Sequence, residues 1–495
     1  MNQFGGSLGG PIKKNKTFIF GDYQGTRRKN GGSVLTSVPT ALARTGDLSE
    51  YPAAIFDPLD ANGNEVAPAN RSQFFYNGMA NVIPPSRLSP ETQAILDLVP
   101  MPNIAGAGVE NNFTGSGTER FNDDAFNVRA DHYWSENLHI FGRYSFARFK
   151  RAGPGAFGDL VGGPAFDNIF FAGQSDVRNQ SIASGFDYTV SPTWLTDFRF
   201  GFYRYRVFVR PGGGGTPATD AGIPGLNIPD DPTTIGMPAF FIYGTGGFNL
   251  GYSLGTNQCN CPLDQEENQF QFVNNWTNIR GNHTFKFGTD IRYATNLRVP
   301  SDSHRAGELS FYDDRTRGAS GGGLGLAAFL LGDVSRSDRY VSKISNAGER
   351  QNRQFFYGQD TWRITPKFTL SFGLRWEVYY PQTVTGPGAG GFVQPSTGEV
   401  WVTGENGIGL NGNVDNTFTN FAPRVGIAYQ ISPKTVLRMG YGRSFDVGVF
   451  GSTFGHSVTQ NLPVLARQEI NPRGELPQRI QPFRGTSTLR PGHRA

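Results

Sequence analysis

Six histidines, His132, His139, His283, His304, His456 and His493, are the first residues that could bind a metal or move a proton. They are scattered, with no HExxH and no paired ligand spacing, so no metal centre or general base is expected. Gly321–Gly325 (GGGLG) has the glycine content of a phosphate loop. It lacks the following Lys-Ser/Thr and does not lead from a strand into a helix, so it reads as a loop. The acidic groups Asp313–Asp314 and Asp264/Glu266/Glu267 suit a cation, but solvated loop charge is the expectation. Cys259 and Cys261 flank Asn260 in a polar stretch. A bridge between them would close a small, strained ring, and a loop disulfide and two free thiols both stay open. With no third ligand nearby, the pair is not a metal site. No catalytic residue, metal or cofactor is expected, and no enzyme.

The remaining chemistry-bearing side chains sit in alternating patterns. Lys286, Asp290 and Arg292 alternate with Phe285, Phe287, Ile291 and Tyr293, and Arg438 alternates with Leu437, Met439 and Tyr441. In Arg353–Tyr380 the residues Phe368, Leu370, Phe372, Leu374, Trp376 and Val378 share one face, while Thr369, Ser371, Gly373, Arg375 and Glu377 share the other. A period of two defines strands with one apolar and one polar face. About 9–11 tilted residues cross a bilayer, longer than ordinary strands of about 5–6. A charge facing hydrocarbon near the midplane costs about 2–4 kcal/mol, so these charges are expected to face a wet lumen.

The elements that would carry them come in pairs. The predicted strands are Asp124–Trp134 with Leu138–Phe149, Arg178–Val190 with Trp194–Phe208, and Glu267–Asn278 with His283–Asn296. The Arg353–Tyr380 hairpin and Phe421–Ile431 with Thr435–Phe445 follow. Turns of three or four residues join each pair, among them VSPT, ITPK and ISPK, with proline where no ladder donor is needed. Between pairs the connections are long, rich in glycine and proline. An earlier segment contributes one weak strand, about Thr17 to Gln24, with Phe18, Phe20 and Asp22 on one face. Residues 25–123 read as a long loop holding a short helix near 89–99, with Ser89 as N-cap and Pro90 at the first helical position. Leu324–Asp333 (LGLAAFLLGD) is too short to span a bilayer and reads as a small apolar insert. The alternation also slips near Tyr203, and Phe141 falls on the face of His139 and Arg143.

The composition agrees. The 495 residues are 37% hydrophobic and 17% charged, with 66 Gly and 41 Phe against 5 Met. Mean hydropathy is −0.39 and no apolar run reaches membrane-helix length. A barrel escapes such scans because half of each strand is polar. The net charge of +4, without a basic block, implies no nucleic-acid partner. Met1–Gly6 lacks the basic start and apolar stretch of an export leader, which would then lie upstream. Short turns at one end and long loops at the other are the arrangement of an outer-membrane barrel, with outer-membrane lipid as its partner. Trp134, Trp194, Trp276 and Trp362 each lie within three residues of a short turn, and Tyr429 does the same in the last hairpin. They are expected to form one interfacial girdle.

On these residues the chain resembles the Oar-like TonB-dependent receptors, especially their acidobacterial group. The matching stretches are NQFGGSLGGPIKKNKTFIFGDYQGTRR, NVIPPSRLSPETQAILDLVPMPN, NHTFKFGTDIR, FFYGQDTWRITPKFTLSFGLRWE and NFAPRVGIAYQISPKTVLRMGYGRSFD, spread from residue 2 to about 446. The resemblance implies an all-β, antiparallel transmembrane barrel in the cell outer membrane, here incomplete with about eleven strands. It places partial barrel over residues 1–445 and a loop or truncated segment over 446–495, which ends in GTSTLRPGHRA without a terminal aromatic. The family's leader, small β-domain and plug would lie outside this chain, so about half a barrel is expected, unable to insert or transport alone. The implied function is ligand uptake energised by the TonB complex through that plug, for a small or polymeric ligand the loops do not identify. A passive porin or a surface adhesion barrel is the alternative.

Overall fold

The computed structural model describes residues 1–167, 173–251, 262–298, 305–342, 344, 347–446, 458–459 and 461–470. Cys259, Cys261, His304, His456 and His493 lie outside them. Twelve strands form one antiparallel wall in sequence order. They are β1 Asn2–Lys13, β2 Thr17–Thr36, β3 Phe113–Tyr133, β4 Leu138–Gly153, β5 Gly173–Ser191 and β6 Trp194–Arg210. The wall continues with β7 Leu263–Arg280, β8 His283–Arg298, β9 Ala347–Thr365, β10 Phe368–Tyr379, β11 Phe421–Ser432 and β12 Thr435–Gly442. Among the described residues β1 and β12 each pair with one wall neighbour.

The expected first strand is longer than predicted and has a partner. β2 runs through Thr36 and pairs with β3 from Phe113, so the long loop begins later than 25 and ends earlier than 123. β1, which composition hid, places Phe4, Gly6, Leu8, Gly10 and Ile12 at alternate positions, with small residues where large ones would reveal the period. Gly25 opposite Phe4 has a reason: a Cβ there would come within 2.7 Å of the Phe4 ring.

Three short turns share one construction. In VSPT, ITPK and ISPK the hydroxyl before proline accepts from the backbone N–H after it: Thr193 N to Ser191 Oγ 3.4 Å, Lys367 N to Thr365 Oγ1 3.3 Å, Lys434 N to Ser432 Oγ 3.3 Å. Each has a register shift immediately before that hydroxyl residue, at Thr189/Ser191, Arg363/Thr365 and Gln430/Ser432. Proline removes a donor where the bulge has already interrupted the ladder.

The largest buried side chains are not in the wall. Phe240, Phe311, Phe329, Leu48, Ile55, Ile83, Ile95, Leu96, Ile223, Leu226 and Leu326 belong to the long connections, which fold together into a cap. Its helices are α1 Ala41–Arg44, α2 Pro90–Leu96, α3 Pro217–Asp220 and α4 Gly325–Leu330. Its five-stranded sheet runs Phe248–Leu250, Ala239–Ile242, Glu308–Phe311, Arg336–Val341, Ala466–Ile470. The apolar insert at 324–333 is the centre of this core. Phe329 meets Phe240, Phe248 and Phe311 edge-on at 6.3, 6.0 and 5.2 Å. α2 is capped as expected, Thr92 N donating to Ser89 Oγ at 3.3 Å, and the Ser89 N–H binds Leu330 O at 2.9 Å, joining α2 to α4. Two buried arginines tie the cap's connections together: Arg315 reaches Asp333 at 2.9 Å and Arg71 donates to Asp314 O at 2.9 Å.

Candidate functional site: the two faces of the wall

Register assigns every wall residue to a face. Outward rows cross the sheet as Gly21–Val128–Tyr144–Ile182–Phe202–Phe270–Tyr293, then Ile19–Ala130–Gly142–Ser184–Phe200–Phe272–Ile291. Cross-strand rings touch along these rows, Phe202 with Phe270 at 4.9 Å and Phe200 with Phe272 at 5.2 Å. On β6 the apolar stretch from Phe202 to Trp194 matches the length that crosses a bilayer. Polar outward residues satisfy one another: Asn274 donates to Thr196 Oγ1 at 3.2 Å and accepts from Trp276 Nε1 at 2.8 Å. That is what a face without water demands. Near the turns, Asp360 accepts from His283 Nδ1 at 2.6 Å, and the imidazole stacks on Trp362 at 5.1 Å.

The inner face carries two arginine–phenylalanine–arginine sandwiches. Phe141 lies between Arg129 (4.7 Å) and Arg199 (5.1 Å), and Phe355 between Arg375 (4.5 Å) and Arg292 (5.3 Å). Each guanidinium also has a carboxylate: Arg129 with Asp131 at 2.7 Å, Arg292 with Asp290 at 2.7 Å, Arg375 with Glu377 at 3.0 Å, and Arg199 with Asp187. His139 lies between Asp131 (2.9 Å) and Asp187 (3.1 Å). Arg199 reaches Phe141 across β5 at Gly185, where a Cβ would lie 3.1 Å from its Cδ. Tyr357 donates to Asn275 Oδ1 at 2.8 Å, Gln271 to Asp290 at 3.0 Å, and Tyr379 to Glu377 at 2.7 Å. A cleft of about 250 Å³ opens beside them, lined by Tyr357, Gln359, Gly373, Arg375 and Arg424 among others.

The alternating charges thus fall as expected. Asp290 and Arg292 face inward, as do Arg375 and Glu377, and Phe141 belongs with His139 and Arg143 because it is the filling of a sandwich. The alternation slips near Tyr203 as expected, but without a slip in register: β6 pairs without a shift to β7, the apolar residues change from the outward face to the inward one at Tyr203, and Tyr205 packs on Val207 and Val209. Phe18 and Phe20 face inward opposite Asp131 and Arg129, which explains the weak alternation of β2. Asp131, Asp187 and Arg199 were missed as a group; each sits at an inner parity position, the one signal available. Asp313 pairs with Arg317 at 2.5 Å, and Asp264 and Glu266 with Arg206 at 3.2 and 3.3 Å, so these acids are held by arginines. The girdle candidates Trp134, Trp194, Trp362 and Tyr429 are exposed near short turns, and Trp276 is half-buried against Trp194 at 6.1 Å.

An antiparallel wall of membrane-length strands, apolar outside and polar inside, is an outer-membrane β-barrel wall. Residues 1–492 match the outer membrane beta barrel domain family, and the chain belongs to it. Among solved structures it is similar to the outer membrane transporter YddB from Escherichia coli, at 10% identity and a TM-score of 0.41, covering 89% of this chain and 38% of that one. It is also similar to the ferric yersiniabactin uptake receptor FyuA from Yersinia pestis, at 9% identity and a TM-score of 0.38, covering 88% and 44%. The chain spans less than half the length of either. No curated protein matches it.

Proposed function

We propose that residues 1–445, together with the cap strand Ala466–Ile470, form part of the wall, with its outer cap, of a TonB-dependent receptor of the Oar-like kind, taking up a ligand not yet identified. The inner face is its passage. The observation that carries this reading is the pair of arginine–phenylalanine sandwiches, whose charges are all matched. Such a surface offers hydrogen bonds and ring faces without a strong net field, which suits a passage where binding must be weak enough to release. The cap would close the passage from outside, and a plug beyond this chain would couple it to the TonB complex. Trp134, Trp194, Trp276, Trp362 and Tyr429 would anchor the wall at the inner membrane–water interface. In support, Trp134 and Trp276 share one cross-strand row, while Trp194, Trp362 and Tyr429 lie one, two and three outward positions nearer the turns. A net drift of this kind along the wall is how a level ring reads on tilted strands. The test is planar-bilayer conductance of the full-length natural protein. A plugged receptor is expected to show no steady current; a steady current without any energy source overturns the reading in favour of a porin.

A further inference from the structure

Immediately toward the cap from the outward apolar rows, the wall carries a cationic cluster that its own acids do not fully match. Arg148, Arg178 and Arg206 lie directly opposite one another in a single row on β4, β5 and β6. Like charges directly opposite across strands destabilise a sheet. Lys150 and Arg204 flank the row on the same face, one outward position to either side. Carboxylates hold the outer members: Arg148 donates Nε to Asp176 at 2.8 Å, Arg206 reaches Asp264 and Glu266 at 3.2 and 3.3 Å, and Arg204 reaches Glu266 at 2.5 Å. Arg178, in the middle, makes no hydrogen bond or ion pair among the described residues and shares only the field of Asp176, which Arg148 holds. Counting Asp124, directly opposite Arg148 and held by Arg27 at 2.7 Å, six cations face four carboxylates among the described residues. Directly toward the short turns come Phe146, Tyr144, Ile182 and Phe202, the surface on which acyl chains lie.

We propose that this cluster binds the phosphate groups of an anionic, multiply phosphorylated lipid headgroup in the membrane leaflet on the cap side, with the lipid's chains on the aromatic rows below. An arginine trio kept at the polar edge of an apolar band, at a cost to the bare sheet, is explained by an anion that arrives with the membrane. Guanidinium forks match phosphate oxygens, and basic residues beside a membrane surface each add to attraction for anionic lipid. The proposal rests on the outward face being the lipid face. It does not depend on any ligand in the lumen.

The test uses the full-length natural protein, folded in detergent, with a bis-phosphorylated glycolipid, phosphatidylethanolamine or inorganic phosphate added in separate arms. Native mass spectrometry reads the bound lipid and a thermal melt reads stability. The anionic bis-phosphorylated glycolipid is expected to bind and raise the melting temperature, with salt weakening the effect, and zwitterionic phosphatidylethanolamine is not. Affinity should drop roughly fivefold for each arginine of Arg148, Arg178 and Arg206 replaced by glutamine, while Lys434→Gln at a short turn changes nothing. Arg178→Gln separates a ligand role from a structural one. Without lipid it should melt at or above the wild-type temperature, because one of three opposed charges is gone, and it should lose most of the lipid-induced rise. Equal binding of both lipids overturns the proposal. So does a rise given as strongly by inorganic phosphate, or an Arg178→Gln chain that melts lower yet keeps the full lipid effect.

Discussion

At the scale of single residues, the two halves of the molecule are held by different physics. Phe329 has no polar duty; three rings meet it edge-on in a dry cap core. Phe329→Ala is expected to cost about 3–5 kcal/mol of cap stability. Hydrogen exchange at α4 should speed accordingly while β8 and β10 keep their protection, and acceleration across both would show cap and wall to be one cooperative unit. Asp333 gives the cap a pH dependence. Burial holds its carboxyl above the ordinary range, and the Arg315 guanidinium opposes that shift. A carboxyl raised by folding takes up protons as the cap forms. Its contribution is fully present below the unfolded value of about 4 and is lost as pH rises through the folded one. Asp333→Asn should therefore flatten the decline of α4 protection from about pH 4 upward; an unchanged slope would show that this carboxyl does not set it.

At the scale of elements, parity decides what a strand tolerates. Phe372 and Ser371 are neighbours on β10 with opposite faces, as their partners Asp360 and Thr361 confirm. Phe372→Arg should cost about 2–4 kcal/mol in a lipid environment, read as a lower urea midpoint for the folded band, whereas Ser371→Arg should be nearly neutral. Equal costs would mean that the faces are misassigned. This parity was legible in the sequence wherever large residues mark it, as in β10. It was not legible in β1, whose outward positions alternate large residues with Gly6 and Gly10, nor in β2, whose inner face carries Phe18 and Phe20. The prolines of VSPT, ITPK and ISPK announced turns. The bulge and hydroxyl acceptor that complete each one depend on register, which no local pattern supplies.

At the scale of the whole molecule, the cap is the part that sequence concealed. Its sheet joins Ala239–Ile242, Glu308–Phe311 and Ala466–Ile470, segments far apart in the chain, and its core collects residues from separate loops. Each segment alone reads as glycine-rich connection; only their meeting makes a core. The inner-face sandwiches are non-local in the same way, since Arg129, Phe141 and Arg199 come from three strands. The wall, by contrast, pairs each strand with the next in sequence, and that is why alternating turn lengths sufficed to foresee it. The central claim is that this wall crosses the outer membrane with the cap outside and the short turns inside. The most direct measurement is labelling by a membrane-impermeant thiol reagent in cells carrying the full-length natural protein, with Cys259 and Cys261 first replaced by serine. Asn62→Cys and Glu110→Cys, exposed on the cap, should label in intact cells. Glu136→Cys and Lys434→Cys, exposed at short turns, should label only after the outer membrane is opened. Labelling of the turn cysteines in intact cells, or of all four alike, would contradict it.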